Sequence, residues 1–162
     1  MSVTFFSGRE IIEIKANQLD DLKVAAIKAP LKRARFCLHH NLTDQVHEMI
    51  IAFYRESYSR PHRHKNKSES FHVIEGKLLV VFFDDDGKVT RRIKMGPVDS
   101  GSTFFYRLST DLWHSVVPLS KYVIIHETTV GPFIKEESEF APWSPVNGDS
   151  KGIEKFLSEI VR

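Results

Sequence analysis

Hydrophobic and polar positions along this chain follow two rhythms, and a strand rhythm occupies the middle. From Ala34 to Thr129, short runs rich in β-branched and aromatic residues alternate with turn-forming clusters. The pattern predicts strands at 34–39, 45–54, 59–64, 69–74, 77–83, 89–94, 103–106, 113–117 and 122–129. Two runs, 45–54 and 78–83, are almost continuously apolar, which predicts burial on both faces. Asp84-Asp85-Asp86-Gly87 between two runs is a hairpin signal. Many short strands separated by turns predict an all-β sandwich or barrel.

Helical spacing flanks this block. Over 17–29, Asn17 is a candidate cap, Asp20 and Asp21 fall in the first turn, and Pro30 follows the end. Leu19, Leu22, Ala26 and Ile27 form its apolar stripe. Over 150–161, Ile153, Phe156, Leu157, Ile160 and Val161 share a face. That face is expected to close one end of a barrel, the alternative being contact with a second subunit. Between these, Gly131-Pro132 and Ala141-Pro142-Trp143-Ser144-Pro145 exclude regular sheet, because proline lacks the ladder N–H. Trp143 is expected to cap the barrel. Thr4-Phe5-Phe6 is a further strand, suited to pairing across a homodimer interface. The chain divides into 1–33 (strand and helix packing on the barrel), 34–130 (barrel) and 131–162 (proline-rich cap and helix), all one domain.

Composition adds limits. The chain has 162 residues, 41% hydrophobic and 27% charged, enough for a substantial core. A formal charge of +2 argues against wholesale nucleic-acid binding. The single cysteine, Cys37, excludes an intrachain disulfide and fits a reducing compartment. Arg9, Glu10 and Glu13 interrupt the apolar N-terminal stretch, unlike a signal peptide, and no run reaches membrane-span length. The expected location is the cytoplasm, with no membrane partner.

The chemistry concentrates in Pro61-His62-Arg63-His64-Lys65-Asn66-Lys67-Ser68-Glu69, with Gly76 beyond it: H-x-H-x4-E-x6-G. Histidines two apart share a strand face. A carboxylate five residues after the second has room to return on a neighbouring strand. Three N and O donors converging from paired strands suit a divalent metal. On the strand carrying Glu69, Phe71 and Val73 share its face and His72 points the other way. Tyr58 and Arg60 are expected on the face of His62 and His64.

The run resembles the first motif of the cupin superfamily, whose fold is a double-stranded β-helix, a small jelly-roll barrel. The family's second motif, G-x5-P-x-G-x2-H-x3-N, places its histidine on His114. Its glycine, proline and glycine positions fall on Thr103, Ser109 and Asp111, and its asparagine on Pro118. The leading glycine of the first motif falls on Glu56. The resemblance therefore implies His62, His64, Glu69 and His114 as ligands, with His47 and His126 as the other candidates for the third imidazole. A closer resemblance, over about 33–145, is to the WbuC-type cupin-fold metalloproteins. It rests on Arg33-Ala34-Arg35-Phe36-Cys37-Leu38-His39, Val46-His47-Glu48-Met49, Ser59 to Lys65, Phe82 to Gly87, His126 to Phe133 and Phe140 to Pro145. That family is encoded in O-antigen gene clusters, among other places, and implies a fold and a metal but no particular reaction.

Three imidazoles and a carboxylate leave open positions on a six-coordinate Fe, Mn, Ni, Co or Zn ion, as a catalytic or ligand-binding metal requires. Arg35, Cys37 and His39 alternate along one strand face. Arg35 and His39, with Arg60, Tyr106 and Arg107, are candidate contacts for a small anionic ligand. A buried, inert thiol is the expected state of Cys37. Trp113 is expected as packing beside His114. Three functions fit: a metal-dependent sugar isomerase or epimerase-like enzyme, an Fe(II) dioxygenase, or a metal-dependent small-molecule-binding module without turnover.

Overall fold

The computed structural model describes residues 3–6, 8 and 10–162; Arg9, one of the N-terminal charges, lies outside them. All the expected strands between 34 and 129 form, with two more outside that block. In order they are β1 (Val3–Phe6), β2 (Arg33–Cys37), β3 (Val46–Tyr54), β4 (His62–His64), β5 (Glu69–Glu75), β6 (Leu78–Phe83), β7 (Val89–Met95), β8 (Phe105–Leu108), β9 (Trp113–Pro118), β10 (Tyr122–Val130) and β11 (Ser138–Phe140). Helix α1 spans Ala16–Lys28 and α2 spans Ser150–Ile160. No helix among the described residues is long and apolar enough to cross a membrane.

The strands form a six-stranded sheet, β1-β2-β3-β10-β5-β8, and a five-stranded sheet, β11-β4-β9-β6-β7. From β3 to β10 the chain passes repeatedly from one sheet to the other, the winding of a jelly-roll β-sandwich. Met49, Ile51, Phe53, Phe71 and Ile125 of one sheet meet Leu78, Val80, Phe82 and Val116 of the other in a single core. β1 runs parallel to β2 of its own chain, from Val3↔Ala34 to Phe6↔Cys37, at the edge of its sheet.

Each sheet is also covered outside. Leu22 and Ala26 of α1 pack on Ile50, Ala52 and Ile124. On the other sheet, Phe156, Leu157 and Ile160 of α2 join Leu79, Val81, Phe83, Trp113 and Val117. This double covering is why β3 and β6 are apolar along nearly their whole length. It also corrects the expected role of α2, which lies over the outer face of a sheet instead of closing an end. Trp143 sits in that same outer layer, its ring 5.1 Å from Phe83 and 6.3 Å from Phe156. Val161, expected in the apolar stripe, is exposed.

Helix ends differ from the sequence expectation for a local reason. Gln18 Oε1 accepts the Lys15 N–H at 2.8 Å, so α1 begins one residue early. Asp20 and Asp21 then lie beyond its first turn, and Asp20 pairs with Lys23 instead. Ile27 faces solvent, and Ala25 packs toward the core. For α2, Asp149 Oδ1 accepts the Gly152 N–H at 3.0 Å. Arg92 Nε donates to Ile160 O at 2.8 Å, a cation at the helix C-terminus.

Two turns behave as their residues dictate. In the β6–β7 hairpin, Asp84 Oδ1 accepts the N–H groups of Asp86 and Lys88, and Gly87 takes φ +84°. Gly76, the last position of the histidine motif, takes φ +82° between β5 and β6. A side chain there would collide with Tyr122 O.

Candidate metal centre

The centre is assembled from register. His62 on β4 lies directly opposite His114 on β9, and His114 lies opposite Phe82 on β6. These side chains form one row on the inner face of the five-stranded sheet. Glu69 comes from the facing sheet, in the row Leu108–Glu69–Thr129–His47 across β8, β5, β10 and β3. His64 and His62 share the inner face of β4, as a two-residue spacing requires. β4 is held on its other side by β11, with Ser138↔His64 and Phe140↔His62. The sequence did not disclose β11, because prolines and charged residues surround this three-residue strand.

One nitrogen from each of His62, His64 and His114 lies within 4.8 Å of the others, a group that can hold a metal ion. Each ring is oriented through its other nitrogen. His62 Nδ1 is 2.8 Å from Arg60 O, and His114 Nδ1 is 2.9 Å from Leu112 O. Carbonyls only accept, so both rings carry a proton on Nδ1; in the neutral ring this leaves Nε2 as a lone pair facing the centre. In each case the acceptor is two residues back in the same strand approach. His64 Nδ1 is 3.0 Å from Ser138 Oγ. Such outer partners are what a metal-ligating imidazole needs.

Glu69 lies beside the three rings. Its Oε1 lies 3.0 Å from His114 Nε2, and its Oε2 lies 3.7 Å from His64 Nε2. With the His114 proton on Nδ1, two lone-pair atoms face each other at 3.0 Å. That arrangement calls for a cation between them, a proton or a metal ion. Tyr106 donates its hydroxyl to the same Glu69 Oε1 at 2.9 Å and helps to hold the carboxylate. The donor set of three imidazole nitrogens and one carboxylate therefore fits a divalent metal.

The electrostatics agree. Burial opposes charge on Glu69, but His114, His62 and His64 overcome it and bring its pKa down to about 2. Burial, aided by His114 and His64, lowers His62 to about 3. His64 is also lowered by burial, against the pull of Glu69. His114 resists burial because Glu69 sits beside it, and its pKa rises. Tyr106 is held well above its ordinary value by burial and Glu69.

The other expected ligand contacts divide. Tyr106 reaches the centre through Glu69. Arg60 does not turn toward it: Nε donates to Ser144 Oγ at 2.9 Å and Nη2 to Ala141 O at 3.1 Å. Tyr58 likewise donates to Pro145 O. Regular β4 begins only at His62, so strand alternation does not extend back through Pro61 to these residues. Both fasten the C-terminal segment. Arg107 donates to Ser68 Oγ at 3.1 Å on an exposed part of β8. Arg35 faces the core beside Arg33, with Nη1 3.6 Å from Met49 Sδ. His39 stacks on His47, ring centroids 4.0 Å apart and planes 4° apart, with Nδ1 3.1 Å from Glu48 O. His47 is thereby engaged, and His126 pairs with Glu48 at 3.6 Å on the outer face of β10. Neither joins the group of His62, His64 and His114. Cys37 is buried and its thiol is pushed up by burial. Trp113 packs as expected, with the Arg63 guanidinium 4.2 Å above its ring.

Glu127 was missed. It occupies the inner-face row Cys37–Met49–Glu127–Phe71–Tyr106, and burial with nearby Glu69 raises its pKa to about 7, against Arg35, His114 and Arg33. Alternation from Val123 and Ile125 was the available signal.

A β-sandwich with this polar cluster between its sheets is the class of protein in view. The chain belongs to the family described as Domain of unknown function (DUF6016), whose model matches residues 14–95, half of the chain. The match contains His62, His64 and Glu69; His114 lies beyond it. A sequence comparison with curated proteins gives no match. Among solved structures, a Shewanella oneidensis protein is similar with TM-score 0.51 and 10% identity, over 60% of this chain and 63% of that one. Cupin-superfamily proteins also stand among the similar structures. The Schizosaccharomyces pombe Cnp3 cupin domain has TM-score 0.47 and 12% identity, over 61% of this chain and 64% of that one. Bacillus subtilis oxalate decarboxylase, described with Mn(II) centres, has TM-score 0.47 and 15% identity, over 60% of this chain and 24% of that one. This chain spans less than two thirds of each.

Proposed function

We propose that this protein is a metal-binding cupin in which His62, His64, His114 and Glu69 hold one divalent ion from the Fe, Mn, Ni, Co and Zn group. Its ligand is a small, oxygen-rich anion such as a sugar derivative. The observation that carries the metal reading is the pair of Nδ1 contacts to Arg60 O and Leu112 O, which turns the Nε2 lone pairs of His62 and His114 inward. The bound ion would supply Lewis acidity toward a chelating oxygen. Glu69 would balance its charge, and Tyr106 would hold Glu69 in place. The sequence resemblance to WbuC-type proteins supports a role in bacterial surface-polysaccharide (O-antigen) biosynthesis, in the cytoplasm, and a homodimer is compatible with it. Fe(II)-dependent dioxygenation and ligand binding without turnover are the alternative uses of the same site.

The test is elemental analysis of chain purified without chelators or a metal-affinity tag. One ion per chain is expected, and none in the His62→Ala/His64→Ala double variant, which should retain its β circular dichroism. Equal metal content in the folded variant and the wild type would sink the proposal.

A further inference from the structure

The edge strands β7 and β8 belong to different sheets and do not pair along their length. They are joined at one end, where Gly96 N–H donates to Thr103 O at 3.0 Å. Beyond that junction a groove of about 470 Å³ lies between them. Ligand pockets fall in the range of about 300–1,000 Å³.

Three residues of this groove also touch the candidate metal centre. Tyr106 lines it and donates its hydroxyl to Glu69. Phe82 lines it and packs 6.4 Å from the His114 ring. Leu112 lines it and offers its carbonyl to His114 Nδ1. The groove is thus the gap between the two sheet edges, and its floor is made of residues that also position Glu69 and His114.

Its polar character is one-sided. Arg91 is opposite Phe82 in the ladder, so the row His62–His114–Phe82–Arg91 places it on the inner face of the sheet. Its neighbours on that face, Ile93 and Met95, pack toward the core. Arg91 is instead exposed to the groove, and among the described residues no hydrogen bond or ion pair engages it. Arg107, Thr90 and Thr103 also line the groove, and no acidic residue does. Ile93, Phe105 and Leu112 supply an apolar wall. An inward-facing arginine without a counter-charge, beside an apolar wall, recognises an anionic group attached to an apolar body.

We propose that the groove between β7 and β8 is a binding site for a small organic carboxylate or phosphate, with Arg91 as its anchor and Ile93, Phe105 and Leu112 contacting its apolar part. The site deepens the metal-centre reading, because an occupant would press on the residues that position Glu69 and His114. Its occupancy is nonetheless readable in the metal-free chain.

The probes are phenyl phosphate, benzoate, inorganic phosphate and benzyl alcohol, titrated into chelator-treated and metal-loaded protein and followed by amide chemical shifts. Phenyl phosphate or benzoate should shift the amides of Arg91, Ile93 and Leu108, and whichever binds tighter identifies the anion. Inorganic phosphate and benzyl alcohol should each bind at least tenfold more weakly, since each lacks one half of the recognition. Arg91→Gln should weaken the aryl anion roughly tenfold or more while leaving metal content and melting temperature unchanged. Leu112→Asp, which places a carboxylate at the lip, should weaken it comparably and serves as the second variant. Unchanged affinity in both variants, shifts located elsewhere, or no binding of either aryl anion would overturn the site. Arg91-dependent binding to a wild-type chain that never takes up metal would uphold the groove and sink the metal reading; a metal-loaded chain with an inert groove would do the reverse.

Discussion

Two histidine groups lie on the inner face of this sandwich, and one of them, His62, His64 and His114, can hold a metal ion. His39 and His47 are nearly parallel at 4.0 Å, a stacking contact that directs their ring edges side by side. His62 and His114 are tilted by 52° at 4.4 Å, with His64 at 71° to His62. The tilted rings bring nitrogens together. Backbone carbonyls fix two of them, and Glu69 supplies negative charge at 3.0 Å. Around the stacked pair, Lys67 adds positive charge that, after burial and His39, helps lower the His47 pKa. Both groups have close imidazoles and a backbone-carbonyl contact at Nδ1; they differ in ring orientation and in the carboxylate beside the rings.

The largest effect that tests this contrast is Glu69→Ala. It removes the acceptor of Tyr106 and the counter-charge of His114, so the metal-free fold should lose about 3–5 kcal/mol in denaturant titration. Metal should also fall below detection. The matching change at the other pair, His39→Phe with His47→Phe, should leave one metal per chain by elemental analysis, and loss of metal there would erase the distinction. Next is Ser138→Ala, which frees His64 Nδ1. The acceptors of His62 and His114 are main-chain atoms that substitution cannot delete, so His64 is the ring open to this test. A 10–100-fold loss in metal affinity by chelator competition is expected.

The smallest effect is in pH dependence of the chelator-treated chain. Folding lowers His62, His64 and His47 relative to their ordinary value of about 6.5. The unfolded chain then binds more protons below that value, so their stabilisation is present above about pH 6.5 and is lost as pH falls. For His62 the loss continues to about pH 3. His114 is raised and works oppositely, its contribution fading as pH rises through its folded pKa. Glu127, raised to about 7, also works oppositely, gaining stability as pH falls from about 7 toward its ordinary 4.5. The readout is therefore the difference between chains: from pH 7 to pH 5 the wild type should lose more melting temperature than His47→Phe. An equal slope would show that His47 is not held neutral by the fold.

Much of the centre was legible because β periodicity is local. The two-residue spacing of His62 and His64, and the shared face of Glu69, Phe71 and Val73, follow from the pleat alone. Double-sided burial of β3 and β6 was equally visible in their unbroken apolar runs. Choosing among His114, His47 and His126 was not local. It depended on which strand lies beside β4, and the answer was β9 through a single register pair. Arg60 was misjudged for a related reason. Its face was inferred by extending β4 through Pro61, where the ladder does not continue.

Sequence alone determined which residues alternate inward, where turns fall, and that three metal-type donors share a short motif. Those properties arise from the chain's own pleat, its glycines and its prolines. Tertiary structure decided the fourth donor, the carbonyls that set each imidazole's proton, and the placement of Arg91 at an open edge. Each of these depends on contacts between strands distant in sequence, where a shift of one residue in register would turn the side chain to the other face.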